Sequence, residues 1–347
     1  MVEPPPPFDP ELAAVLDAIA GGPAPGGTRA DGVIPALREA HESSAPPVTV
    51  EDLCRDGAFE VTERDAFMPG ESRDIPLLAC RPTTSAGAVP CLYSIHGGGL
   101  IMGDRKTGIT GMLDIAEKLC MAVVSVEYRL APETPYPGPV EDCYAGLAWT
   151  ARNASELGLD PERIVVAGGS AGGGLAAATA LLARDRGGPA LAGQLLMCPM
   201  LDDRNDSPSA LQMAGRGVWD RHVNEIAWTA LLGGARGGPG VSGYAAPARA
   251  ADLSGLPPAY LDVGSAETFR DETVAYASRI WRAGGDAELH VWPGGFHAFA
   301  GFAPGAALSR DARDAPVAWL RRLLARQVRP GPGRPAAGRS RTGRRSR

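Results

Sequence analysis

The stretch Ile164-Val165-Val166-Ala167-Gly168-Gly169-Ser170-Ala171-Gly172-Gly173-Gly174, continued by Leu175 to Arg186, decides how this chain is built. A β-branched run ends in glycines, a serine sits among them, and a segment of small residues with helical character follows. That order reads as strand, sharp turn, helix. Gly168 to Gly172 fits G-x-S-x-G, the pattern of a nucleophile elbow. So tight a turn needs neighbours without Cβ atoms, because side chains there would meet the returning backbone. The serine hydroxyl is then left protruding at the strand's end, facing the positive end of the next helix. A plain Gly-rich turn cradling a phosphate would look similar, so the partners of Ser170 must decide.

Outward from this stretch, the pattern alternates. Ala58–Phe67 and Ile75–Arg81 are strand-like and separated by Pro-Gly, which predicts an antiparallel pair. Val89–Ile95 is a strand running into His96-Gly97-Gly98-Gly99, followed by a helix at Met112–Leu119 and a strand at Ala122–Val126. A helix at Val140–Arg152 and a turn at Asp160-Pro161 lead to the Ile164 strand, and Gln194–Met197 is another strand. Residues 201–255 interrupt the series with Asp, Gly, Pro and Trp and one clear helix, Asp220–Leu232. Strand Ala259–Val263, helix Glu272–Ala283, strand Glu288–Trp292 and helix Pro316–Arg326 resume it. Repeated strand–helix alternation predicts an α/β fold, a mostly parallel sheet covered by helices on both faces. The organisation expected is brace or cap helices in 1–50, a catalytic domain over 51–328 with 201–255 adding cap elements, and a disordered basic tail over 329–347.

Composition limits what such a chain does. Its 347 residues exceed the ~150-residue norm for one domain, as large α/β enzymes commonly do. A net charge of −6 argues against a nucleic-acid binder. Seven arginines and no acids fall between Arg329 and Arg347, so the rest is more acidic than the total. Such a tail buries too little to fold, and a sharper role would be contact with an anionic partner. The six cysteines show no CxxC spacing, so no metal or cofactor is expected. The start lacks a basic and an apolar region, and no apolar run reaches the ~18 residues of a membrane span, so a cytoplasmic protein without membrane contact is expected.

Acyl transfer by serine needs a base, an orienting acid and donors for an oxyanion. On an alternating sheet of this kind the chain order is serine, acid, histidine. Of five histidines, His297 in Trp292-Pro-Gly-Gly-Phe-His297 follows the last strand, where a loop brings the ring over the elbow. His290 lies within a strand and reads as structural. Gly98 and Gly99, with the N–H of Ala171, are the candidate oxyanion donors, since glycine lets backbone amides approach a site. For the acid, Asp262 is still inside its strand and Asp271 begins the next helix, where capping explains it. Glu267 lies in the loop between, and position favours it, with Asp262 and Asp271 left open.

Taken together, His96–Gly99, Tyr128-Arg-Leu-Ala-Pro-Glu133, Gly168–Gly173, Glu267-Thr-Phe-Arg-Asp-Glu272 and Gly295-Phe-His297 resemble the hormone-sensitive-lipase-like carboxylesterases of the α/β-hydrolase fold, across residues 58–326. The resemblance implies Ser170 as nucleophile, His297 as base, the position of Glu267 as acid, an oxyanion hole at Gly98, Gly99 and Ala171, and a helical cap. It implies that Tyr128–Glu133 braces the glycine loop. One departure is Gly169, where the family commonly carries Asp or Thr. The implied activity is hydrolysis of neutral esters of short to medium acyl chains through an acyl-enzyme. Deacylase, lactonase, thioesterase or dehydratase chemistry on the same site, or binding alone, are the rivals. Leu100, Ile101, Met102, Trp219, Trp228, Phe296 and Phe299 are the apolar residues expected around a substrate pocket, with core packing as the competing role. The expected partner is a small-molecule ester, with a homodimer as a compatible assembly.

Overall fold

The computed structural model describes residues 3–20, 30–43, 47–67 and 74–328; the basic tail expected over 329–347 lies outside them. Eight strands form one sheet: β1 (Phe59–Ala66), β2 (Ile75–Pro82), β3 (Val89–Ile95), β4 (Ala122–Val126), β5 (Leu159–Gly169), β6 (Gly193–Met197), β7 (Ala259–Gly264) and β8 (Ala287–Trp292). Their spatial order is β1-β2-β4-β3-β5-β6-β7-β8. β1 pairs antiparallel with β2 and β2 antiparallel with β4, and the remaining pairs are parallel. Helices α1 (Pro10–Ala20), α2 (Ala30–Ser43) and α3 (Val50–Cys54) precede the sheet. Within it come α4 (Ile109–Leu119), α5 (Gly138–Arg152), α6 (Ala171–Asp185), α7 (Pro208–Gln212), α8 (Arg221–Leu232), α9 (Arg270–Arg282), α10 (Phe299–Phe302) and α11 (Ala307–Val328).

The central strands read as unbroken apolar runs because both faces are buried. Their period of two divides the core. Cys91, Tyr93, Ile95, Val124, Ile164 and Val166 face a cluster shared with α5, α6, α8 and α9, whereas Leu92, Val123, Val165 and Ala167 face α4 and α11. Each fully buried aliphatic side chain here contributes about 1.5–3 kcal/mol relative to exposure. A third cluster joins Leu12 of α1 to Phe296, Phe299 and Ala306 near the chain's other end.

Two boundaries differ from the sequence reading. β5 begins at Leu159, so Asp160-Pro161 falls inside it rather than forming a turn before it. The pairing slips there, from Val89↔Leu159 to Cys91↔Ile164, and Asp160 folds back to accept from the Glu162 N–H and Arg163. α11 starts at Ala307 and passes through Pro316 instead of starting there. Ala312 before the proline and Val317, Leu320 and Leu323 after it are all buried, and this packing offsets the ~3 kcal/mol cost of an interior proline.

Candidate active site

Residues that follow the carboxyl ends of β3, β5, β6, β7 and β8 converge on one place, at the edge of the sheet where ligands of open α/β folds bind. Ser170 stands at the end of β5 with φ 57 and ψ −124, a conformation an L-residue adopts only under constraint. That constraint is visible in hydrogen bonds: the Ser170 N–H donates to Met197 O at 2.9 Å, and Met200 N–H donates to Ser170 O at 2.9 Å. The glycines around it answer to contact. A Cβ on Gly168 would lie 2.3 Å from Gly172 O, and one on Gly172 would lie 2.1 Å from Ile95 O. α6 therefore lies directly against the sheet, nearly every residue buried, and tertiary packing stabilises a helix that opens on three glycines.

His297 bridges two partners. One ring nitrogen, Nε2, is 2.9 Å from Ser170 Oγ, and Nδ1 is 3.2 Å from Glu267 Oε1. Glu267 is almost wholly buried and its second oxygen accepts from the Gly264 N–H at 3.2 Å. Phe269 meets the imidazole edge-on at 5.0 Å, fixing its plane. Burial disfavours the imidazolium, but neighbouring Cys198 and the Glu267 carboxylate outweigh it and raise the His297 pKa above its ordinary value. Of the other acids considered, Asp262 instead accepts from the Cys198 N–H and from Trp292, and Asp271 accepts from the Ser209 N–H and Arg270. Neither faces the ring.

The glycine loop after β3 completes the arrangement. Gly98 has φ 108 and Gly99 φ 61, the left-handed region glycine favours. A Cβ on Gly98 would strike Met102 O, and one on Gly99 would strike the Trp219 ring. Among the described residues no acceptor takes the N–H of Gly98, Gly99 or Ala171. The loop is braced from behind: Tyr128 donates from its hydroxyl to His96 O at 3.0 Å and stacks on the His96 ring, and Ala131 N–H donates to Leu100 O. Arg38 of α2 reaches over it, donating to Ile101 O at 2.6 Å and Ala131 O at 3.0 Å while forming a two-pronged pair with Glu133. Nothing local in the sequence marks this strap.

The apolar residues expected around a pocket separate into two groups. Trp219 stands between Gly99 and His297, its ring 6.4 Å from the imidazole, held by Nε1 donating to Asn224 Oδ1. Leu100 keeps a trace of exposure beside it. Ile101 and Phe296, by contrast, have no accessible surface and belong to packed clusters, Phe296 beneath Leu12 of α1. Both therefore show the core packing that the sequence reading set against a substrate contact. Trp228 is likewise core. Cys198, which its apolar run in the sequence marks only as a small packing residue, lies on the turn after β6 with its sulfur beside His297 and Glu267.

A serine on a strained strand-to-helix turn, at the carboxyl ends of this sheet order, defines an α/β hydrolase. A family model described as alpha/beta hydrolase fold matches residues 92–301. Carboxylesterase NlhH of Mycobacterium tuberculosis is 36% identical over 327 residues, covering 92% of this chain and 97% of its own. Esterase LipI of the same species is 33% identical, with 92% and 96% covered. Among solved structures, a bacterial heroin esterase superposes with a TM-score of 0.83 at 38% identity, covering 91% of this chain and 98% of its own. The chain belongs to the α/β-hydrolase family, in its hormone-sensitive-lipase-like branch.

Proposed function

We propose that the protein is a serine carboxylesterase that hydrolyses neutral esters of short to medium acyl chains. The observation that carries this reading is His297 lying within hydrogen-bond reach of Ser170 on one side and Glu267 on the other. In the proposed cycle Ser170 Oγ attacks the ester carbonyl as His297 Nε2 takes its proton, and Glu267 holds the ring with its lone pair toward the serine. The N–H groups of Gly98, Gly99 and Ala171 receive the oxyanion; losing one such donor typically slows a reaction ~10²–10³-fold. His297 then protonates the leaving alcohol, and the cycle repeats with water to release the acid.

The Trp219 ring, packed on Gly99 and 6.4 Å from the His297 ring, supports a short acyl group. In the same reading α1, α2 and residues 201–255 act as the cap over the 51–328 catalytic domain, supported by the Arg38 strap and by Trp219 packing its ring on Gly99. Among the described residues no helix is long and apolar enough to cross a membrane. A cytoplasmic setting is supported by six cysteines that all remain free thiols.

A series of p-nitrophenyl esters of increasing acyl length tests the proposal. Wild type turns over the short and medium members and loses rate on long ones. Ser170→Ala lowers kcat roughly 10⁴-fold or more, and Glu267→Ala roughly 10³–10⁴-fold. Hydrolysis by Ser170→Ala at a rate near wild type refutes the mechanism.

A further inference from the structure

Cys198 takes no part in the mechanism above and has a positive φ of 36, unusual for a non-glycine residue. Its backbone is fixed, with its N–H donating to Asp262 O at 2.8 Å and to Asp262 Oδ1 at 3.3 Å. The fixed turn sets the thiol against the imidazole and the acid. One donor atom each from Cys198, His297 and Glu267 lies within 4.8 Å of the other two, and all three residues are buried. Sulfur, imidazole nitrogen and carboxylate oxygen are the donor types zinc takes, at roughly 2.0–2.3 Å from the ion, and donors this close can converge on one tetrahedral centre. A fourth position on such an ion is filled by water. The half-buried Asp262 carboxyl, which accepts from the Cys198 N–H, adds a second acidic group behind the turn.

We propose that Cys198, His297 and Glu267 form an inhibitory binding site for zinc and similar thiophilic divalent ions. Binding releases the thiol proton to solvent and forms a metal–thiolate bond, and no electron changes hands. A neutral imidazole has a single ring lone pair. Whichever nitrogen the ion takes, that pair is occupied and His297 no longer accepts the Ser170 proton. Metal occupancy and ester hydrolysis are therefore mutually exclusive. The three ligands come from turns after β6, β7 and β8, so no local spacing in the sequence announces them.

The loss of rate rests on the esterase reading; the binding itself does not. The full chain is titrated with zinc in a weakly coordinating buffer, following both ester turnover and bound metal by equilibrium dialysis. Cobalt serves as a spectroscopic probe of the sulfur, through a thiolate-to-metal band in the near ultraviolet. Wild type is expected to bind one ion with complete, chelator-reversible loss of rate. Cys198→Ala and the more conservative Cys198→Ser, each compared with its own metal-free rate, should need at least about tenfold more zinc and lack the cobalt band. Ser170→Ala, which cannot turn over, should keep both the bound ion and the band. The site does not exist if either Cys198 variant, folded by circular dichroism, is inhibited at the wild-type concentration or retains the band. A Ser170→Ala protein that hydrolyses normally while binding the ion sinks the esterase reading and leaves the site standing.

Discussion

Three neighbouring glycines at the elbow play different parts. A methyl on Gly168 or Gly172 collides with rigid backbone, whereas one on Gly169 would find its nearest atoms, Met197 O and Cε, at 3.8 and 3.9 Å. Gly169→Ala is therefore expected to fold with stability within about 0.5 kcal/mol of wild type, and Gly172→Ala to lose more than about 3 kcal/mol, both read from urea midpoints. The departure from the family at position 169 leaves free space beside the nucleophile rather than meeting a steric need. At His297 the sign of the shift sets a pH dependence. A raised pKa keeps the ring protonated, and unable to accept the serine proton, to higher pH. The acid limb of kcat/KM should accordingly lie above the ordinary value of 6.5, and Glu267→Gln should move it down while lowering the rate. Ser170 and His297 were readable because turn chemistry and chain order mark them. The acid was not settled by sequence, since three carboxylates stand within ten residues and only side-chain direction separates them. The roles of Cys198, Ile101 and Phe296 were left open for a related reason: apolar character says that a residue is covered, not by what.

Among the elements, α2 was legible as a helix but not as a strap. Its Arg38 grips backbone carbonyls of Ile101 and Ala131, and such contacts leave no pattern along a chain. Arg38→Ala should lower stability by about 1–2 kcal/mol, chiefly through carbonyls left without their donor. The accompanying ion pair adds less than about 1 kcal/mol, because Glu133 is mostly exposed. Ester turnover should fall alongside, since the strap holds the loop that carries Gly98 and Gly99. Arg38 holds the Glu133 carboxyl down to about 2. The pair is intact above the ordinary carboxylate pKa and is lost only as pH falls toward that value, so the difference between wild type and Arg38→Ala should hold through mild acid. A comparison of urea midpoints from neutral pH down to pH 4 checks this.

For the whole molecule, alternation of apolar runs with helical patterns was enough to predict a parallel sheet covered on both faces. It did not predict the strand order, in which β4 lies between β2 and β3. That order follows from crossovers whose direction is set by sheet twist and helix packing rather than by any residue pair. Nor did it place the N-terminal helices. Asp9 N–H donates to Gly294 O at 3.0 Å, and a Cβ on Gly294 would lie 2.3 Å from Asp9 N, so the start of α1 is seated directly on the loop that carries His297.

That seating bears on how the protein is made. Asp9 and Leu12 leave the ribosome early, while Gly294 and Phe296, the surfaces they cover, are translated almost last. Until then the first helix has nowhere to dock, and its apolar face is exposed to whatever the nascent chain meets. Catalytic competence should thus arrive late and abruptly during synthesis, when the two ends of the polypeptide find each other.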